Sequence, residues 1–367
     1  MRHNSKYSLF AFAMLLMLVC GCEYYGEVPE EYNVVQNGKL TSYRLTLLEE
    51  YGTKADPLII NDSQPINLKV EAIDALGQVI EGHTANLKFS ATNTFIGRNG
   101  WQNLDITSGD TVTIDLKRGV GPIRIMAEDA VSYSVGASDI IYLPEPSMST
   151  IQTPVGTGDA SPWSSHFLHI ELGKLIVTHV GLTGFYLTDA DADAYNSIYV
   201  YTHGIPETDR GDRLKFISGT ISEFYGLTEM SFPDYEVECH YDQLPEPVLL
   251  TSSMLSDNDE MEKYEGSLVT VENLTVYKVD ETTYYNYGQW TGKTGDGGEI
   301  TIISRDTVPE LDPRTFNGTF SRMTGVLKQH YAANPDWMLM PRDECDVWGF
   351  GERPSFCDSE MPETTCE

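Results

Sequence analysis

Positive charge is scarce in this 367-residue chain: 24 Lys and Arg stand against 55 Asp and Glu, a formal net charge of −31. A field of that sign repels phosphate backbones and anionic headgroups, so nucleic acid is not an expected partner. Long apolar runs are also lacking beyond the N-terminal segment, and no later stretch reaches the roughly 18 residues that a spanning helix needs. Catalytic templates are absent as well. There is no Gly-x-Ser-x-Gly elbow, no Walker loop and no dinucleotide fingerprint. Nothing in the sequence marks two of the 55 carboxylates as a glycosidase pair. The eight histidines, His166 and His169 included, have no metal-ligand spacing to Cys or acidic residues. The chain is therefore expected not to be an enzyme.

What is present begins with an address. Arg2 and Lys6 precede an apolar run, Leu9 to Val19, which leads into Val19-Cys20-Gly21-Cys22. This basic, apolar and small-residue order is that of an export signal rather than of a membrane span. It resembles bacterial lipoprotein signals, in which cleavage before a lipobox cysteine leaves that residue lipidated at the new N-terminus. Cys22 fits that role with Gly21 before the cut, whereas bulky Leu18 and Val19 precede Cys20. The resemblance implies an envelope protein whose membrane partner is reached through the N-terminal lipid. Glu23 after the cysteine resembles the pattern of proteins passed to the outer membrane. Loss of Arg2 and Lys6 with residues 1–21 leaves 22 basic residues and a net charge near −33.

Four further cysteines, Cys239, Cys345, Cys357 and Cys366, form an even set that suggests two disulfides in an exported chain. Three pairings are possible. The favoured expectation joins Cys357 to Cys366 across a short loop and Cys239 to Cys345 between two neighbouring units.

Residues 22–40 are acidic and poor in apolar side chains, as a tether would be. From 41 to 146 short runs with period-2 apolar alternation recur, for example Tyr43 to Leu47, Ile66 to Ala72, Asn86 to Ser90, Thr111 to Leu116 and Ile123 to Ala127. About seven such strands in roughly 105 residues predict a β-sandwich. Within them Asp74-Ala75-Leu76-Gly77 joins two strands and resembles the Asp-x-x-Gly hairpin of bacterial immunoglobulin-like domains. Residues 147–165 are read as a linker, 166–250 and 251–350 as two units of similar plan, and 351–367 as a Cys-containing tail. Each unit opens with a strand, passes through a hairpin and carries a Gly, Gly219 or Gly325, in a later strand.

Gly184-Phe185-Tyr186-Leu187-Thr188-Asp189, Gly219 to Thr228 and Tyr264-Glu265-Gly266 resemble the OB-fold region before the catalytic domain of secreted nucleases of the endonuclease/exonuclease/phosphatase superfamily. The likeness covers about 166 to 350 and implies OB-like barrels. The chain ends where the nuclease domain of such proteins starts, so the resemblance implies no catalytic residues. The expected fold class is all-β, an immunoglobulin-like β-sandwich followed by two OB-like β-barrel units.

Two constellations stand out. Asp189, Asp191 and Asp193 alternate along a loop and form a candidate calcium site, although Ala194 and Val200 stand where an EF-hand would place Gly and Glu. Phe224 and Tyr225 lead a set of aromatics near the barrel strands, with Tyr284, Tyr285, Tyr287, Trp290, Tyr331 and Trp337, that core packing mostly explains and that offers candidate stacking surfaces. Residues 166–350 hold 12 basic against 31 acidic side chains, so the cationic groove of a nucleic-acid-binding barrel is missing. The expected function is non-catalytic binding or scaffolding at the envelope, with a protein or glycan partner. The alternatives are an accessory role in extracellular nucleic-acid processing and glycan binding.

Overall fold

A computed structural model describes residues 38–97, 100–155, 159–330, 336–352, 354–358 and 363–366. Cys22 and the expected export signal lie outside the described residues. The chain divides into two units, Met1–Leu143 and Pro144–Glu367, and among the described residues no helix is long and apolar enough to cross a membrane.

The first unit is the β-sandwich. Its strands are β1 (Leu40–Leu47), β2 (Gln64–Asp74), β3 (Thr84–Ser90), β4 (Thr94–Ile96), β5 (Trp101–Thr107), β6 (Thr111–Gly119), β7 (Pro122–Ile123), β8 (Met126–Asp129), β9 (Val135–Ala137) and β10 (Ile141–Tyr142). One sheet runs β1-β2-β6-β4, the other β5-β3-β8-β9, and β7 pairs with β10. The alternation seen in sequence becomes the core: Ile66, Leu68, Val70 and Ala72 of β2 are all sealed, and they pack with Leu87, Phe89, Ile114 and Leu116 from both sheets. The run Ile123 to Ala127 is split between β7 and β8 rather than forming one strand. The Asp74 hairpin forms as expected: its Oδ1 accepts from the Leu76 and Gln78 amides, both at 2.9 Å, and Gly77 turns the chain at φ 76°. The Gly38 amide, followed by that of Gln78, holds the Asp74 carboxyl below the usual carboxylate range.

The second unit opens with α1 (Met148–Gln152), so 147–165 is not a linker. Ser147 caps α1 in a capping box with Thr150, the Trp163 indole donates to the Thr150 carbonyl at 3.0 Å, and Ser165 bonds to Ile221 of the first barrel. Met148, Ile151 and Trp163 are buried. Apolar burial overrides the Ser, Thr and Gly composition that read as a loop, because a large buried side chain is worth about 1.5–3 kcal/mol.

The first barrel contains β11 (Phe167–Ile170), β12 (Leu175–Val180), β13 (Gly184–Asp189), β14 (Ser197–Tyr201), β15 (Arg213–Phe224) and β16 (Leu227–Cys239). Strand β12 pairs with β13, β13 with β14, β14 in parallel with β16, β16 with β15, and β15 returns to β12. The ring of five strands closes, as in an OB barrel. The second barrel repeats it. After β17 (Val248–Leu249), α2 (Ser252–Leu255) and α3 (Asn258–Glu262) come β18 (Leu268–Lys278), α4 (Glu281–Tyr287), β19 (Gln289–Lys293), β20 (Glu299–Ile303), β21 (Thr319–His330), β22 (Asp336–Met340) and β23 (Val347–Trp348). The ring runs β18-β19-β20-β22-β21 and back to β18, again with one parallel pair, β20 with β22.

In each barrel the long fourth strand contributes to three pairings, and its glycine sits where another backbone passes close. A Cβ on Gly219 would lie 2.5 Å from Met230 Cγ and 2.9 Å from the Ser231 carbonyl oxygen; on Gly325 it would lie 2.3 Å from the Met340 carbonyl oxygen. Leu268 and Val326 of the second barrel bury against Tyr186 of the first. Arg342, clamped on Asp346, donates to the Thr178 carbonyl, and Arg210 pairs with Asp343 at 2.7 Å.

The disulfides are Cys239–Cys366 and Cys345–Cys357, which overturns the expected pairing. Loop length favoured the nine-residue Cys357–Cys366 closure. Instead the tail returns to the end of β16, where Thr365 and His240 exchange bonds of 3.0 and 2.7 Å and bring Cys366 onto Cys239. Cys345 and Cys357 lie on two short 3-10 turns, Glu344–Asp346 and Ser355–Asp358.

Candidate functional site

The structure does not assemble the three-aspartate loop as a cation site. Asp189 is buried and holds the hairpin, its Oδ1 accepting from the Lys174 amide at 2.9 Å and the Asp191 amide at 3.1 Å. Asp191 and Asp193 are exposed. Among the described residues the only His, Cys, Asp or Glu trio with ligand atoms within 4.8 Å is Cys239, Asp242 and Cys366, two of which form a disulfide.

Phe224 and Tyr225 form the tip of the β15–β16 hairpin, Tyr225 in the left-handed region at φ 54°. Both residues are 56% exposed; His330 of β21 stacks on Tyr225 at 5.2 Å and 18°, and Phe224 meets it edge-on. Of the other aromatics, Tyr284, Trp290 and Trp337 are core residues, Tyr285 and Tyr287 are exposed on α4, and Tyr331 lies outside the described residues.

A different aromatic surface stands on the first barrel. Between Ser218, paired with Asp234, and Thr220, paired with Ser231, strand β15 has one residue, Gly219, where β16 has two, Phe232 and Pro233. That is a β-bulge, and Pro233 suits it because a bulged residue need not donate to the ladder. The bulge turns Phe232 outward at φ 53°, leaving the residue 71% exposed. His203, also left-handed at φ 60°, lies between Tyr201 at 4.2 Å and Phe232 at 4.6 Å. Such backbone costs roughly 1–2 kcal/mol per residue and marks sites held open by their surroundings. Ile205, Pro206, Glu207, Asp234 and Tyr235 complete a groove of about 500 Å³. The Glu207 amide donates to the Tyr235 hydroxyl, whose ring packs edge-on against buried Phe185. Two carboxylates and no Lys or Arg line it.

A second constellation lies in the seam between the barrels. Glu223 at the end of β15, Glu262 at the end of α3 and Glu265 just before β18 each keep a buried carboxylate oxygen with no hydrogen-bond partner. The other Glu223 oxygen accepts from the Ser161 amide and the Thr228 hydroxyl, and the other Glu265 oxygen from the Thr228 amide at 3.2 Å. Burial raises all three carboxyls, Glu223 to about 7, Glu262 to about 8 and Glu265 well above the usual range, and repulsion among them and from Asp159 adds to the effect. Gln329 donates to Asp159 and Gln152 donates to the Ser197 carbonyl, yet the buried carboxamide oxygen of each accepts nothing.

The groove was not legible before folding, because Phe232-Pro233 reads as an interruption of a strand and not as a bulge. The seam carried a faint signal: Glu223, Thr228 and Glu265 belong to the two motifs, Gly219 to Thr228 and Tyr264-Glu265-Gly266, that suggested an OB-like region, and the fold brings those motifs into contact. No model of a known protein family matches the chain, and no curated protein matches it.

Proposed function

We propose that this chain is a lipid-anchored envelope protein, attached through Cys22, that binds a neutral glycan without catalysis in the first-barrel groove. Lipidation places the protein at the outer membrane. The observation that supports this reading most is the Phe232 ring, turned out of the barrel by a bulge into a groove bearing Glu207 and Asp234. An exposed ring offers an apolar face to the C–H side of a sugar, and carboxylates accept bonds from its hydroxyls. The same carboxylates repel phosphate, so a role in nucleic-acid processing fits this groove poorly.

The test is a binding screen of the full chain against neutral glycan, DNA and RNA panels at two salt concentrations. Retention of a neutral glycan, little changed by salt, supports the reading. Salt-sensitive nucleic-acid binding with no glycan retained contradicts it. Attachment is checked separately: Cys22→Ser is expected to move the protein from the membrane fraction to the soluble fraction.

A further inference from the structure

The seam between the barrels has a composition that ordinary packing does not account for. Its unpartnered atoms are oxygens only, contributed by Glu223, Glu262, Glu265, Gln329 and Gln152. None of the three glutamates has an ion-pair partner among the described residues. Gln329 is 1% exposed, Gln152 and Glu265 3%, and Glu262 6%, so bulk water does not serve them. A buried unpaired polar atom costs about 1–3 kcal/mol, and five in one seam form a pattern rather than an accident.

The carboxamides are decisive. Each amide nitrogen is fixed by its own acceptor, Asp159 Oδ2 at 3.1 Å for Gln329 and the Ser197 carbonyl for Gln152. Flipping either would set oxygen against oxygen. Both amide oxygens therefore stay as acceptors. Gln329 bonds Asp159, two residues before Ser161, whose amide holds Glu223, and Gln152 is held at Ser197, against which Gly266, next to Glu265, packs.

We propose that the seam is a binding site for a hard divalent cation, calcium above all, with Glu262 and Glu265 as its carboxylate ligands and Glu223 and Gln329 as further oxygen donors. Oxygen-only donors suit calcium or magnesium and not the softer metals. Calcium accepts six to eight oxygens in irregular shells, whereas magnesium demands a near-ideal octahedron. No three of the carboxylates approach within 4.8 Å, so the shell closes through carboxamide and water oxygens with an inward turn of the flexible glutamate side chains. Bound there, the ion joins α1 and its following segment, the β15–β16 hairpin and the second barrel. This inference is independent of the groove.

The test is thermal unfolding of the full chain in EDTA, in calcium chloride and in magnesium chloride, with calorimetric titration of calcium alone. Calcium a hundredfold above its dissociation constant is expected to raise the midpoint by about 5–10 °C, reversibly with EDTA, and magnesium by less. The Glu262→Gln, Glu265→Gln double variant is expected to lose that shift while unfolding in EDTA no lower than the unsubstituted chain. The Asp191→Asn, Asp193→Asn variant is expected to keep it, which keeps the proposal testable should the glutamate variant fail to fold. No midpoint shift and no calorimetric heat with the unsubstituted chain overturns the proposal. So does a full response in the glutamate variant, or a response lost with Asp191 and Asp193.

Discussion

Gln329, in the long fourth strand of the second barrel, donates its carboxamide to Asp159 at 3.1 Å, across 170 residues of sequence. The contact ties the segment after α1 to a barrel that begins some way downstream. Asp159 also repels the glutamates of the seam, so its charge and its acceptor oxygen act in opposite directions. Asp159→Leu removes the acceptor and is expected to cost about 1–3 kcal/mol, a fall of several degrees in midpoint, while Asp159→Asn keeps an acceptor, sheds the charge and should unfold no lower than the unsubstituted chain in EDTA. Equal losses in both variants would show that the charge, not the bond, is what matters.

His179 supplies a pH prediction. Burial, then the neighbouring Arg342 and Arg210, lowers its pKa to about 4. The folded state therefore prefers the neutral ring, and its contribution is complete above the unfolded value near 6.5 and is lost as pH falls towards 4. The loss should reach about 3 kcal/mol at full depth. Comparing the chain with its His179→Gln variant across pH 7 to 4 isolates the effect: the gap between them should narrow in favour of the variant as pH falls, and parallel curves would refute the assignment.

The fourth-strand glycines differ in what a side chain would strike. Gly219 faces the end of a flexible methionine as well as a carbonyl, whereas Gly325 faces backbone, at 2.3 Å from the Met340 oxygen. Gly219→Ala is expected to cost about 1–3 kcal/mol and Gly325→Ala more, both read by denaturant unfolding. Gly219→Ala should also disturb the Phe232 bulge and weaken groove binding.

The disulfides can be checked by peptide mapping without reduction, which should yield Cys239 joined to Cys366 and Cys345 joined to Cys357. The two close loops of very different length, 127 and 12 residues apart. On a chain-entropy account, Cys239→Ser with Cys366→Ser should cost about 4–5 kcal/mol and Cys345→Ser with Cys357→Ser about 3.

Architecture was legible where it followed local periodicity. The alternation of Ile66, Leu68, Val70 and Ala72 announced a half-buried strand, and Gly219 and Gly325 at like places announced two similar barrels. What depends on distant partners was not legible. Trp163 and Ile151 sit in a stretch rich in Ser, Thr and Gly, and only the barrel surface that buries them makes it structure. Cysteine spacing favours the nearest pair, but Cys366 is delivered to Cys239 by Thr365 and His240. The Asp189 loop looked like a cation site because alternating carboxylates are conspicuous, yet Asp189 is occupied by backbone amides. The buried glutamates were three among 55 acidic residues until the fold isolated them.

The claim that the bulged ring of Phe232 forms a glycan site is tested most directly by calorimetric titration of the full chain and its Phe232→Ala variant with a neutral glycan retained in the screen. Loss of the ring is expected to weaken binding at least tenfold, about 1.4 kcal/mol, with the unfolding midpoint of the first barrel little changed because Phe232 is exposed. Equal affinity in the two proteins would contradict the account.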